Sequence, residues 1–287
     1  MDKEARMKNR LNKGQVAVLI LMLSVIAVQG VYLVRTSREM KNLKKSSATS
    51  AEIQKNRKIL KEITTHDLGD FPFLPKRVDP QKKLIAFSFD DGPSRKNTEK
   101  ILKALDKNNA RATFFMLGQN AKYYPDLVKK VSESGNEVAG HSWNHPLLTK
   151  LGKSGVKNQM NQMNRAISSV TGSNVGLLRP PYGSINSTVK KTVKDPLILW
   201  SIDTLDWKTL NADKTADAIL KQAKDGDIIL MHDIHAPTVE AVKKVLPKLE
   251  KNGFQVCTVS ELLEARNIEL HPGDVVVSAN DVYRYKK

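Results

Sequence analysis

From Leu84 onward the chain alternates between short apolar, β-favouring runs and segments of helical period, a rhythm that leaves few folds open. The runs are Leu84–Phe89, Ala112–Leu117, Glu137–Ala139, Val175–Leu178, Leu197–Ser201, Asp227–Met231 and Phe254–Val259. Val156, Met160, Met163, Ile167 and Val170 recur at spacings of four and three, which gives one helix an apolar face. Its methionines are core residues. Another helix is expected to start at Pro125, whose fixed φ suits a first turn, and to end before Gly135. Strand–helix alternation repeated about seven times predicts an α/β fold with a parallel sheet, at this length a distorted (β/α) barrel of about seven strands. An open doubly wound sheet is the alternative.

The first part of the chain differs. Val16–Val34 is a run of 19 residues interrupted only by Ser24, Gln29 and Gly30, long enough to cross a bilayer core. A cleaved signal peptide would have a shorter apolar region with small residues close behind it. Here the run ends in Tyr-Leu-Val-Arg and the next small-residue cluster, Ser46–Ala51, lies far downstream, so an uncleaved transmembrane anchor is expected. Lys3, Arg6, Lys8, Arg10 and Lys13 precede the run, and Arg35, Arg38, Lys41, Lys44 and Lys45 follow it, so charge does not set the orientation. A short tail before a large domain makes tail-in, domain-out the expected arrangement. The organisation is a cytoplasmic tail (1–15), an anchor (16–34), a stem (35–79), a main domain (80–265) and a C-terminal tail (266–287).

The formal net charge of +17 is split between two regions. Residues 1–79 carry 16 Lys/Arg against 8 Asp/Glu (+8), and residues 80–287 carry 31 against 22 (+9). Such an excess suits a polyanionic partner, a membrane surface or an acidic wall polymer. No zinc-finger spacing or aromatic RNA-binding motif accompanies it, which argues against nucleic acid. Cys257 is the one cysteine and has no partner for a disulfide within the chain.

In α/β sheets reactive groups gather at the carboxyl ends of strands. Behind five of the runs stand Asp90-Asp91-Gly-Pro, His141-Ser-Trp-Asn-His145, Arg179-Pro-Pro-Tyr182-Gly, Asp203-Thr-Leu-Asp206-Trp207 and His232-Asp233-Ile-His235. Four of the six histidines fall in two of these clusters. Each alone reads as loop punctuation. Together they point to one shared site at the rim of the sheet.

Ser88-Phe-Asp-Asp-Gly-Pro93, His141-Ser-Trp-Asn-His145, Arg179-Pro-Pro-Tyr-Gly183, Asp203-Thr-Leu-Asp-Trp207 and Leu230-Met-His-Asp-Ile-His235 resemble the five ordered motifs of the polysaccharide deacetylase family, the NodB-homology or carbohydrate esterase 4 group. The resemblance runs from about Leu84 to Leu263 and implies a metal-dependent deacetylase on a NodB-like barrel. The anchored layout is similar to that of peptidoglycan N-acetylglucosamine deacetylases. By this resemblance Asp91, His141 and His145 hold one divalent cation, Zn²⁺ first, with Co²⁺ or another transition ion as alternatives. Asp90 is the general base, paired with Arg179. His232 is the general acid, oriented by Asp206. The backbone N–H of Tyr182 serves the oxyanion, and Trp207 and Leu230 wall the acetyl pocket. Arg111, at the start of a strand, is a weaker candidate for the role of Arg179. Asp203 reads as a supporting group or a loop cap, and Asp233 and His235 have no assigned role.

The expected reaction is removal of N-acetyl groups from N-acetylglucosamine in cell-wall peptidoglycan. Chitin oligomers, poly-N-acetylglucosamine and acetylxylan are alternative substrates, and a non-catalytic wall-binding protein is the alternative class. A serine hydrolase is disfavoured, since no Gly-x-Ser-x-Gly elbow occurs. So is nucleotide binding, since Gly152-Lys-Ser lacks the glycine five positions earlier. The anchor reading predicts that protease added to intact protoplasts releases the main domain. A fully protected domain would place it in the cytoplasm.

Overall fold

The computed structural model describes residues 78–284. The tail, the anchor and all of the stem before Val78 lie outside them, and among the described residues no helix is long and apolar enough to cross a membrane. The strands are β1 (Lys83–Asp90), β2 (Thr113–Met116), β3 (Glu137–Gly140), β4 (Leu197–Ile198), β5 (Ile202–Asp203), β6 (Ile228–His232), β7 (Phe254–Cys257), β8 (Val275–Ser278) and β9 (Asp281–Tyr283). The helices are α1 (Thr98–Lys107), α2 (Gly118–Tyr123), α3 (Pro125–Glu133), α4 (Lys153–Thr171), α5 (Ser187–Thr192), α6 (Asp206–Thr209), α7 (Ala212–Gln222), α8 (Ala236–Lys251) and α9 (Val259–Ala265).

Strand β1 is central. Its upper half pairs with β2 and its lower half with β7 on one side, while β6 runs along the other, all parallel. Leu84 through Phe89 are buried without a break, the pattern of a parallel strand covered on both faces. The period of two divides them. Ile85, Phe87 and Phe89 join the layer that packs under α1, α4 and α8, with Ile101, Met163 and Val242 among its members. Leu84 and Ala86 join a second cluster with Phe115, Ala139, Leu177, Ile198, Ile228 and Cys257, apolar residues drawn from the neighbouring strands. Continuing the second row up β1 gives Ser88 and then Asp90. The inward row therefore changes from apolar to polar towards the carboxyl end of the sheet.

From β1 the sheet continues through β2 to β3, and bridges at Gly140–Leu178 and Leu178–Leu197 carry it on to β4. Just beyond, β5 pairs with β6, so the path of parallel bonds returns towards its start. The parallel α/β sheet expected from the alternation is present. Two of the expected strands differ. Val175–Leu178 contributes only the bridging residue Leu178. Leu197–Ser201 divides, because Leu199 N donates to Val276 O while Ser201 N donates to Ile228 O, so the segment changes neighbours midway. The C-terminal segment is built into the fold: β8 pairs parallel with β4, and β9 folds back on β8. The expected helix at Pro125 is α3, and the Val156–Ile167 stripe is the buried face of α4.

Candidate active site

Asp90 is the last residue of β1, and Asp91 follows it in a left-handed conformation at φ 71°. That turn separates the two carboxylates. Asp91 Oδ1 lies 3.6 Å from His141 Nε2 and 3.6 Å from His145 Nε2. The three ligand atoms fall within 4.8 Å of one another. His141 Nδ1 lies 2.7 Å from Arg179 O, so its N–H donates there and leaves the Nε2 lone pair facing Asp91. Burial, then the neighbouring His141, holds His145 below the ordinary histidine range. The His141–His145 segment is a loop, not a helical turn: Ser142 and His145 are left-handed, and Ser142 Oγ accepts from His145 N.

Asp91 Oδ1 is buried with no hydrogen-bond partner. A carboxylate oxygen with no hydrogen-bond partner, set beside two imidazole nitrogens, is a donor set that fits a divalent cation. Two ligands of tetrahedral zinc are held about 3.4 Å apart, close to the separations seen here.

Arg179 has no exposed surface. Its Nη1 donates to Asp90 Oδ1 at 2.7 Å and to Ser88 Oγ at 2.8 Å, Nη2 donates to Leu199 O at 2.9 Å, and Nε donates to Ile198 O at 3.3 Å. The Phe115 ring lies 4.1 Å from the guanidinium carbon. The free oxygen of Asp90, Oδ2, sits 3.7 Å from His141 Nε2, beside the candidate cation position.

On the facing side His232 ends β6. Its Nδ1 lies 2.8 Å from Asp206 Oδ1, and its backbone N–H donates to Asp206 Oδ2 at 2.8 Å. Trp207 N completes the first oxygen at 2.8 Å, and Thr238 Oγ1 completes the second at 2.6 Å. Burial opposes a charge on His232. The Asp206 bond and the carboxylates of Asp206, Asp90 and Asp91 outweigh it, raising the imidazole to about 9. Burial likewise opposes the Asp206 charge, but its bonds to His232 and Thr238 bring it below the ordinary carboxylate range. Thr238 carries no motif signal in the sequence. It lies in the first turn of α8 and meets Asp206 only in the fold.

Tyr182 (66% exposed, φ 60°) and Trp207 (50% exposed) are open to solvent, and the Tyr182 ring meets the His145 ring edge-on at 4.5 Å. Leu230 is buried below. Arg111 is the misplaced expectation. It precedes β2, so it lies at the amino end of the sheet, about 13 Å of strand from the level of Asp90. There it pairs with Glu261 at 2.6 Å. Asp203 caps its own loop by accepting from Leu205 N. Asp233 is buried against Gly92 and accepts from Thr98 Oγ1, and burial pushes it up to about 7. The His235 ring lies 6.0 Å from that of His232.

The family model for polysaccharide deacetylase matches residues 77–196. The chain belongs to the polysaccharide deacetylase family. It is 39% identical over 209 residues to the peptidoglycan-N-acetylmuramic acid deacetylase PdaC of Bacillus subtilis, covering 73% of this chain and 44% of that protein, less than half its length. A peptidoglycan-N-acetylglucosamine deacetylase of Bacillus cereus is 36% identical over 198 residues, covering 66% of this chain and 92% of the relative. Among solved structures, a family 4 acetyl xylan esterase from Clostridium thermocellum in complex with a cobalt ion matches with a TM-score of 0.66 at 28% identity, covering 68% of this chain and 98% of that one. This polysaccharide deacetylase family member thus has relatives named for three different acetylated sugars.

The geometry makes two predictions about charge and metal. Asp91→Ala should lose bound metal by elemental analysis, whereas Asp90→Asn should retain it; equal loss in both would mean the two carboxylates share one role. In Asp206→Asn the hydrogen bond and nearest carboxylate that oppose burial are lost while Asp90 and Asp91 remain, so the His232 titration followed by NMR should move down from near 9. An unmoved titration would remove Asp206 as the cause.

Proposed function

We propose that this chain hydrolyses N-acetyl groups from N-acetylglucosamine residues of cell-wall peptidoglycan, releasing acetate and leaving free amines. The observation that carries the reading is the opposition across one site of an orphaned Asp91 Oδ1 between two imidazoles and of His232, bonded to Asp206 at 2.8 Å with its imidazole raised to about 9. Asp91, His141 and His145 would hold a single divalent metal ion, zinc or another transition ion such as cobalt. Such an ion supplies Lewis-acid polarisation of the acetyl carbonyl and acidifies the attacking water.

The chain's own residues do the rest. Asp90 takes a proton from the attacking water at Oδ2, since Oδ1 is engaged by Arg179. Charge developing on the acetyl oxygen is met by the backbone N–H of Tyr182, in the strained turn beside His145. His232 arrives protonated and delivers that proton from Nε2 to the departing amine, because Nδ1 is committed to Asp206. Trp207 and Leu230 bound the acetyl group, and the exposed faces of Trp207 and Tyr182 offer stacking surfaces to sugar rings.

The placement of the enzyme is part of the same proposal. An anchor over 16–34 and a stem over 35–79 would hold the domain outside the membrane, within reach of nascent wall glycan, and the basic composition suits that anionic setting. Similarity to PdaC supports a second reading in which the acetylated sugar is N-acetylmuramic acid.

The decisive experiment is acetate release by the purified chain from peptidoglycan, chitooligomers and acetylxylan, with and without a strong chelator. The expected result is release from peptidoglycan that is abolished by chelation and restored by Zn²⁺ or Co²⁺, with the new free amine found on glucosamine by mass spectrometry of enzymatically released muropeptides. Muramic acid amines would move the assignment to the second reading. Full activity in a preparation free of metal by elemental analysis would end the metal-dependent mechanism.

A further inference from the structure

The segment from the end of β4 to Trp200 carries none of the motif residues, yet it makes most of the remaining contact with Arg179. Ile198 O and Leu199 O accept from its Nε and Nη2. Trp200 places its ring 5.6 Å from the guanidinium carbon, which has Phe115 at 4.1 Å. The same indole covers Gly183. A Cβ at Gly183 would stand 2.9 Å from Trp200 Cη2 and 3.5 Å from Leu199 Cδ2, so glycine is required there for packing as well as for its φ of 62°. Gly183 directly follows Tyr182, and Gly183 N and Ser184 N close the turn on Pro180 O and Pro181 O. One aromatic ring therefore bears both on the partner of Asp90 and on the turn that carries the Tyr182 amide.

The segment itself is pinned from outside the motif region. Ile198 N donates to Leu178 O on one side, and Leu199 N donates to Val276 O of β8 at 2.7 Å on the other. Val276 is fully buried in the inner apolar cluster. The C-terminal strand thus fixes the main chain at Leu199, and Leu199 fixes the origin of the Trp200 side chain.

We propose that Trp200, seated by strand β8, is a positioning residue that holds Arg179 and the Tyr182–Gly183 turn in register with each other. The proposal rests on the deacetylase reading above for its consequence in rate. Trp200 does not touch the reacting atoms; it acts through a buried cation and a backbone turn. Losing the ring would loosen both at once, and displacements of about 1 Å in such groups cost on the order of 10²-fold in rate.

The test compares the full chain with Trp200→Ala and Trp200→Phe. In Trp200→Ala, kcat for acetate release should fall on the order of 10- to 100-fold while KM stays within about twofold, with bound metal unchanged. The Arg179 Nε–H signal in ¹⁵N NMR, identified by its loss in Arg179→Lys, should broaden or exchange faster. Trp200→Phe should recover most of both, since a planar ring is retained. A rise in KM at unchanged kcat would mean that Trp200 contacts the glycan, and the proposal would fall. It would also fall if only the melting temperature changed. Should Trp200→Ala not fold, Trp200→Leu, which fills much of the space without a ring, is read the same way. A wild-type chain that releases no acetate would defeat the deacetylase reading, and the Arg179 signal would then decide the positioning claim by itself.

Discussion

A guanidinium with no exposed surface must find acceptors for its N–H groups inside the protein, and the site is arranged around how Arg179 does so. It reaches Ser88 and Asp90 on β1 and the main chain at Ile198 and Leu199, packs on Phe115 of β2, and through its own carbonyl receives the His141 N–H. Its backbone N–H closes on Gly140 O at the end of β3. Removing either partner of such a pair strands a buried charge, at a cost of roughly 3–5 kcal/mol. The same contacts fix which oxygen of Asp90 is free and which nitrogen of His141 faces Asp91. The placement of the Asp90 carboxylate and the His141 ring therefore follows from satisfying one cation.

The parallel sheet was legible because its strands are short and apolar between helical stripes, and the site was legible because polar clusters stand where those runs stop. Arg111 shows the limit of judging a residue by type. It is basic and near a strand, but it precedes the strand, and the same rule about carboxyl ends that located the other residues places it at the wrong end. The division of Leu197–Ser201 depends on which strands flank each half, information that no local pattern holds. Thr238 was invisible for the same reason, since an ordinary helical threonine becomes a partner of Asp206 only by packing. Val275-Val-Val-Ser278 was a different kind of omission. It is a β-favouring run that the reading of 266–287 as a tail passed over.

Backbone strain gathers near the site. Of the eight non-glycine residues in the left-handed region among the described residues, Asp91, Ser142, His145, Tyr182 and Leu205 stand at the carboxyl end of the sheet. Each such residue costs on the order of 1–3 kcal/mol unless its surroundings hold it. Local bonds do the holding: Asn120 Nδ2 donates to Asp91 O, and Ser142 Oγ accepts from His145 N. The inner cluster towards the other end, from Leu84 and Ala86 across to Cys257 and Val276, is built of apolar side chains.

The position of β8 in the chain has a consequence for how the molecule comes to be. Every residue from Asp90 to His232 is synthesised before Val276, so the three candidate ligands can meet while the main chain at Leu199 still lacks its neighbour. A partly made chain would be able to capture a metal ion with Arg179 not yet seated. Competence would come only when β8 has been made and docks, which ties the onset of activity to a strand synthesised after every residue of the site.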